Sequence, residues 1–131
     1  MLERDYFIRV LQEFEAAVQA FLEKNEGKQK DTMLKELYHR YLGNYELLRN
    51  MTLEEALGYA QDNWKEKERI ERLEMLAQLW YYEGDLMGSK PLRDLLLDKA
   101  FTLLDYVDQR SSTYSMSRKQ KMIHIRQLQE N

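Results

Sequence analysis

An all-α fold follows from three properties of this sequence of 131 residues. Only one proline and five glycines punctuate it, and neither residue suits a helix interior. Leu, Glu, Lys, Gln and Met, all good helix formers, supply much of the remainder. Apolar side chains recur at three- and four-residue steps, and no segment alternates in the manner of a half-buried strand. Short polar connections join the periodic stretches. About six helices should therefore pack antiparallel, in a single all-helical domain over residues 1–131.

The first helix is expected over about 2–25, with Phe7, Val10, Leu11, Phe14, Ala17, Val18, Phe21 and Leu22 on one face. Gly27 is expected to end it in a left-handed conformation, within a polar turn over 25–31. A second helix starts near Asp31 or Thr32, either able to accept backbone N–H bonds, and buries Leu34, Leu37, Tyr38, Tyr41 and Leu42. Gly43-Asn44 stops it, and 44–50 reads as one irregular turn. Thr52-Leu-Glu-Glu55 is a capping box opening a short helix with Leu53, Ala56, Leu57 and Ala60. The fourth helix, about 64–83, begins on a charged stretch where Glu68 and Arg72 can pair, then turns apolar through Leu73, Leu76, Ala77, Leu79 and Trp80. The fifth, about 91–108, has Pro91 in its first turn and carries Leu92, Leu95, Leu96, Leu97, Ala100, Phe101, Leu103, Leu104 and Val107. A serine-rich turn, Ser111 to Ser117, precedes a last helix that buries Met122, Ile125 and Leu128.

Composition narrows the function classes. A third of the residues are charged, yet the formal net charge is only −3 and the signs are interleaved, so no global field steers the chain toward nucleic acid or an anionic membrane. No apolar run approaches the length of a membrane span. The absence of cysteine removes disulfide and thiolate chemistry, and MLERDYFIRV lacks the apolar centre of a signal peptide. A cytoplasmic setting is expected, with neither nucleic acid nor membrane as partner.

The stretch 73–107 organises the rest, because its two helices are apolar over more than half their circumference and need partners on two sides. Leu73, Leu76, Ala77 and Trp80 match the opening spacing of a tetratricopeptide repeat, Gly84-Asp85 stands where that repeat turns, and Lys99-Ala100 resembles its close. Extra residues in the turn, Arg93 at a small-residue position and Asp105 in place of the terminal proline depart from the pattern, which covers about a quarter of the chain. The chain also resembles a family of small, uncharacterised all-helical bacterial proteins that open with a D-Y-x-x-R motif, here Asp5-Tyr6-Phe7-Ile8-Arg9, and carry the stop at Gly43 and the box at Thr52. That resemblance implies a tetratricopeptide-like array of helical hairpins and supplies no activity.

Catalytic and metal signatures are missing from the pattern. Gly84 to Pro91 has the wrong spacing for a phosphate-binding loop and follows a helix rather than a strand. Glu36-x-x-His39 is half of a di-iron ligand pair, but Glu36 and His39 lie off the buried stripe of the second helix, and His124 has Lys121 at the matching position. The serines between 111 and 117 sit in no nucleophile motif, and Ser115 or Ser117 reads as a helix cap. Arg118, Lys119, Lys121 and Arg126 read as a solvated basic face. The expectation is a non-enzymatic module without cofactor or metal that binds a protein or peptide, or a second copy of itself. The alternative is a small-molecule regulator whose pocket, between the first helix and the central pair, is lined by Trp80, Tyr81 and Phe101. Asp5 and Arg9, able to pair one turn apart, and these three aromatics are the candidate binding residues.

Overall fold

The helix-forming pattern becomes seven α-helices and one short 3-10 helix in the computed structural model, which describes residues 3–24 and 27–130 without the side chains of Glu3 and Lys28. In order they are α1 (Glu3–Glu23), α2 (Lys28–Tyr41), α3 (Tyr45–Arg49), α4 (Leu53–Asn63), a 3-10 turn (Glu66–Glu68), α5 (Arg69–Leu86), α6 (Lys90–Arg110) and α7 (Met116–Glu130). There is no strand among the described residues. The expected ends of the first helix, at 2 and 25, lie outside them. The chain, expected as one domain, groups into two compact units, residues 1–46 and 47–131.

In the first unit α1 and α2 form an antiparallel hairpin. Phe14 meets Tyr41 edge-on with ring centroids 5.2 Å apart, and Lys30 lies over the Phe21 ring at the other end. Phe7, Phe14, Val18 and Phe21 are buried as their spacing requires, whereas Leu22, expected on the same face, is exposed. Gly27 does have a positive φ of 93°, but it is the N-cap of α2 rather than the end of α1; its carbonyl accepts from Lys30 N and Asp31 N. The helix thus starts before Asp31, whose carboxylate pairs with Lys35 one turn on instead of capping. The Lys24 carbonyl just beyond α1 is satisfied by the Lys30 ammonium. Gly43, with φ 151°, ends α2 as expected, donating to Tyr38 O. Residues 45–49, read as an irregular turn, form the single-turn helix α3, in keeping with the helical phase of Tyr45 and Leu48.

The second unit is built on the α5–α6 hairpin. Gly84 lies inside α5, not in the turn, because α6 crosses closely there: a Cβ would stand 2.9 Å from Leu97 Cδ2 and 3.3 Å from Leu96 Cβ. Only Met87 to Ser89 connect the two helices, and Pro91 occupies the first turn of α6, where its missing N–H is not needed. Leu73, Leu76, Ala77, Leu79 and Trp80 of α5 and Leu96, Leu97, Ala100, Leu103, Leu104 and Val107 of α6 are buried. α7 runs antiparallel to α6 and parallel to α5, since Gln129 reaches Asp98, Arg118 reaches Asp108 and Glu74, and His124 reaches Tyr81. Ser115 caps α7 by accepting from Arg118 N.

The capping box forms in full, with Thr52 Oγ1 accepting from Glu55 N and Glu55 Oε1 accepting from Thr52 N. These bonds hold the Glu55 carboxyl below its ordinary pKa. α5 begins five residues later than expected. Trp64 and Lys65 are extended, and the Arg69 guanidinium closes the end of α4 by donating to the carbonyls of Ala60, Gln61 and Trp64. The Glu68–Arg72 pair forms at 2.9 Å.

Because Leu97 is fully buried and has no open side to retreat into, Gly84→Val should overpack the hairpin. Urea unfolding is expected to show a loss of about 2 kcal/mol. An unchanged midpoint would mean that the helices separate at no cost.

Candidate functional site

The five candidate binding residues do not share one environment. Asp5 and Arg9 are both exposed on α1, with no ion pair joining them among the described residues. Trp80, Tyr81 and Phe101 lie in the second unit, the first turned to Leu48 and the other two to α7. Trp80 is fully buried, its Nε1 donating to Leu48 O at 3.1 Å. Tyr81 and Phe101 both face α7: the Tyr81 hydroxyl bonds His124 Nδ1, and the Arg126 guanidinium lies 3.7 Å from the Phe101 ring centre. Burial, then the nearby Asp85 and Tyr82, pushes the Tyr81 phenol up to about 12, so it stays protonated across the physiological range. The ring of the adjacent Tyr82 lies 5.2 Å from that of Tyr81 at a tilt.

Two buried polar clusters escaped the sequence reading. In the first, Arg118 is not a solvated base; only 2% of it is exposed. Its Nε donates to Asp108, one terminal nitrogen to Glu74 and the other to Thr113 O, all within 3.0 Å. Lys119 adds a second bond to Asp108. Burial opposes the charge on Arg118, but the two carboxylates outweigh it and raise its pKa, while Lys119 and then Arg118 hold the Asp108 carboxyl below its ordinary value. The hint available in the sequence was that Arg118 falls one turn before Met122 and two before Ile125, on the buried side of α7.

The second cluster surrounds Lys99, on the inner edge of α6. Its ammonium donates to Arg49 O and Met51 O at 2.9 and 2.7 Å and lies 4.4 Å from the Trp80 ring centre. It thereby satisfies carbonyls left open at the end of α3. The buried Glu83 carboxylate accepts from Arg49 Nε at 2.8 Å. Burial and the Arg49 charge lower Lys99 to about 8, against the opposing pull of Glu83 and Glu55. The geometry is that of a structural clamp, because its hydrogen bonds and its ring contact are already spent on the protein.

Both clusters bond chiefly to other groups of the protein. Glu36 and His39 are exposed, and among the described residues no group of three His, Cys, Asp or Glu side chains is placed to hold a metal ion. The α1–α2 hairpin has a groove of about 150 Å³ lined by Ala17, Ala20, Met33, Glu36, Leu37 and Arg40, below the ~300–1,000 Å³ usual for small-molecule sites.

The surface of the second unit also exposes large apolar side chains at one end of the hairpin. Leu86, Leu92 and Leu95 are 49%, 50% and 59% exposed. Leu92 and Leu95 were expected in the core. The close contact of Gly84 with Leu96 and Leu97 sets the antiparallel pairing, and Arg93 in the first turn of α6 reaches Leu128 O of α7, yet Leu92 and Leu95 stay on the outer side. Leu86 closes α5 at that same end of the hairpin. With this geometry in hand, comparison with known proteins gives a plain result: no protein-family model, curated protein or solved structure matches the chain.

Two titrations follow from the clusters. The Cε resonance of Lys99 should titrate near 8 by NMR, well below the ordinary lysine value of 10.5. Since the folded state releases this proton first, its contribution to stability rises as pH climbs from about 8 toward 10.5; below 8 both states are protonated and the burial cost is fully present. A midpoint near 10.5 would show that the ammonium stands in water. For Asp108 the sign is the same but the window is acidic. The stability it confers is present above 3.8 and lost as pH falls through its lower folded value, so wild type and Asp108→Asn should converge in urea unfolding at low pH.

Proposed function

We propose that the chain is a non-catalytic interaction module that engages an apolar surface of a protein or peptide through Leu86, Leu92 and Leu95 at the tip of the α5–α6 hairpin. The exposure of three large aliphatic side chains at one end of one hairpin carries this reading. It gains support from the buried charges of the same unit, which are committed to holding helices together. A tetratricopeptide-like arrangement, a cytoplasmic setting and a bacterial origin belong to the same proposal. Among the described residues no helix is long and apolar enough to cross a membrane.

Covering the exposed half of each leucine is worth roughly 1 kcal/mol, so the cluster supplies about 3 kcal/mol, or some hundredfold in affinity. The cluster is thus the centre of an interface and needs a surrounding rim. The double variant Leu92→Asp, Leu95→Asp replaces side chains that have no role in the core and should keep the helical circular dichroism of the wild type. Lysate capture with both proteins, followed by titration of whatever the wild type retains, is expected to show a loss near hundredfold for the variant. Sedimentation distinguishes a second copy from a foreign partner: if the wild type self-associates and the variant does not, the occupant is the chain itself. Equal binding and equal sedimentation by the two proteins would overturn the assignment of this surface.

A further inference from the structure

Trp80 is fully enclosed, but one part of its cover is a single strand of chain. Leu48 O accepts from the indole N–H, and Lys99 is held over the ring by the carbonyls of Arg49 and Met51. α3, with five residues, is too short to persist alone. Its end stays in place through these three side-chain bonds, the Arg49–Glu83 pair and the burial of Leu48 and Met51. The chain on either side does not need it. Gly43 with φ 151° breaks the helical path before it, and the Thr52–Glu55 box closes the first turn of α4 after it.

We infer that residues 48–51 are a strap that opens as a local unit, uncovering the Trp80 indole while α5, α6 and α7 stay folded. Opening separates one indole N–H, one ammonium and one guanidinium from their partners, all of which water can satisfy, and withdraws two apolar side chains. The contacts of α5 with α6 across Gly84, Leu96 and Leu97 do not involve the strap. This opening does not involve the leucine cluster and stands or falls independently of it.

Hydrogen exchange across a urea series tests the strap. In the wild type, the Trp80 indole N–H and the Met51 amide, which bonds Leu48 O, should exchange at least about tenfold faster than the slowest amides of α5 and α6, with little urea dependence. Trp64→Phe assigns the two indole signals. Lys99→Met removes two of the strap bonds and should speed exchange of the Trp80 N–H by about tenfold. Gly84→Val weakens the hairpin in the closed and open states alike, so it should accelerate the slowest amides and leave the Trp80 N–H unchanged. The inference is overturned if the Trp80 N–H shares the rate and urea dependence of the slowest amides in the wild type, or if Gly84→Val accelerates both equally. The wild-type series decides the matter even where a variant fails to fold.

Discussion

The contact of Gly84 with Leu96 and Leu97 sets the geometry of the second unit. With no side chain at that point, α5 and α6 approach closely enough for Leu97 and Leu104 to be fully enclosed, and the register of the hairpin is fixed. Everything else in residues 47–131 is arranged on that register. It presents Lys99 beside Trp80, and it aligns Glu74 and Asp108 so that one arginine can reach both.

Charge then decides what the apolar pattern leaves open. Surface ion pairs such as Lys35–Asp31 are worth only a few tenths of a kcal/mol, and the fold would survive without them. Arg118 is different, because it is buried with two carboxylates around it and its removal would strand them. Such a group selects one arrangement of α5, α6 and α7 over others with similar apolar contacts. Lys99 does comparable work at the other edge of the hairpin, where its deprotonated form would still have two N–H donors for its two carbonyl partners.

The sequence made the helices legible wherever local chemistry alone sets them. Pro91, the Thr52–Glu55 box, Gly43 and the Glu68–Arg72 pair each act within a turn of themselves and stand where expected. Boundaries set by distant partners were not legible. α5 starts at Arg69 because that residue is needed on the carbonyls of α4, and Gly84 sits in a helix because a second helix lies against it. The site suffered most. A buried arginine and a basic surface residue look alike in a polar run, so Arg118 was read as solvated. Leu92 and Leu95 keep the apolar period yet stand about half exposed, while Leu96 and Leu97 beside them are buried. Periodicity reports which residues share a face; it does not report whether a neighbour covers them.

α7 touches its neighbours at three heights: Arg118 on Glu74 and Asp108 near its start, His124 on Tyr81 in its middle, and Gln129 on Asp98 near its end, with Arg93 also donating to Leu128 O. A slide of one helical turn, about 5.4 Å, would break every one of these contacts at once and offer no equivalent set in the new position. The helix is keyed like a shaft in a slotted sleeve. It can detach or stay, but it has no intermediate stop, so a perturbation acting on α7 is answered by the second unit in a binary rather than a graded way.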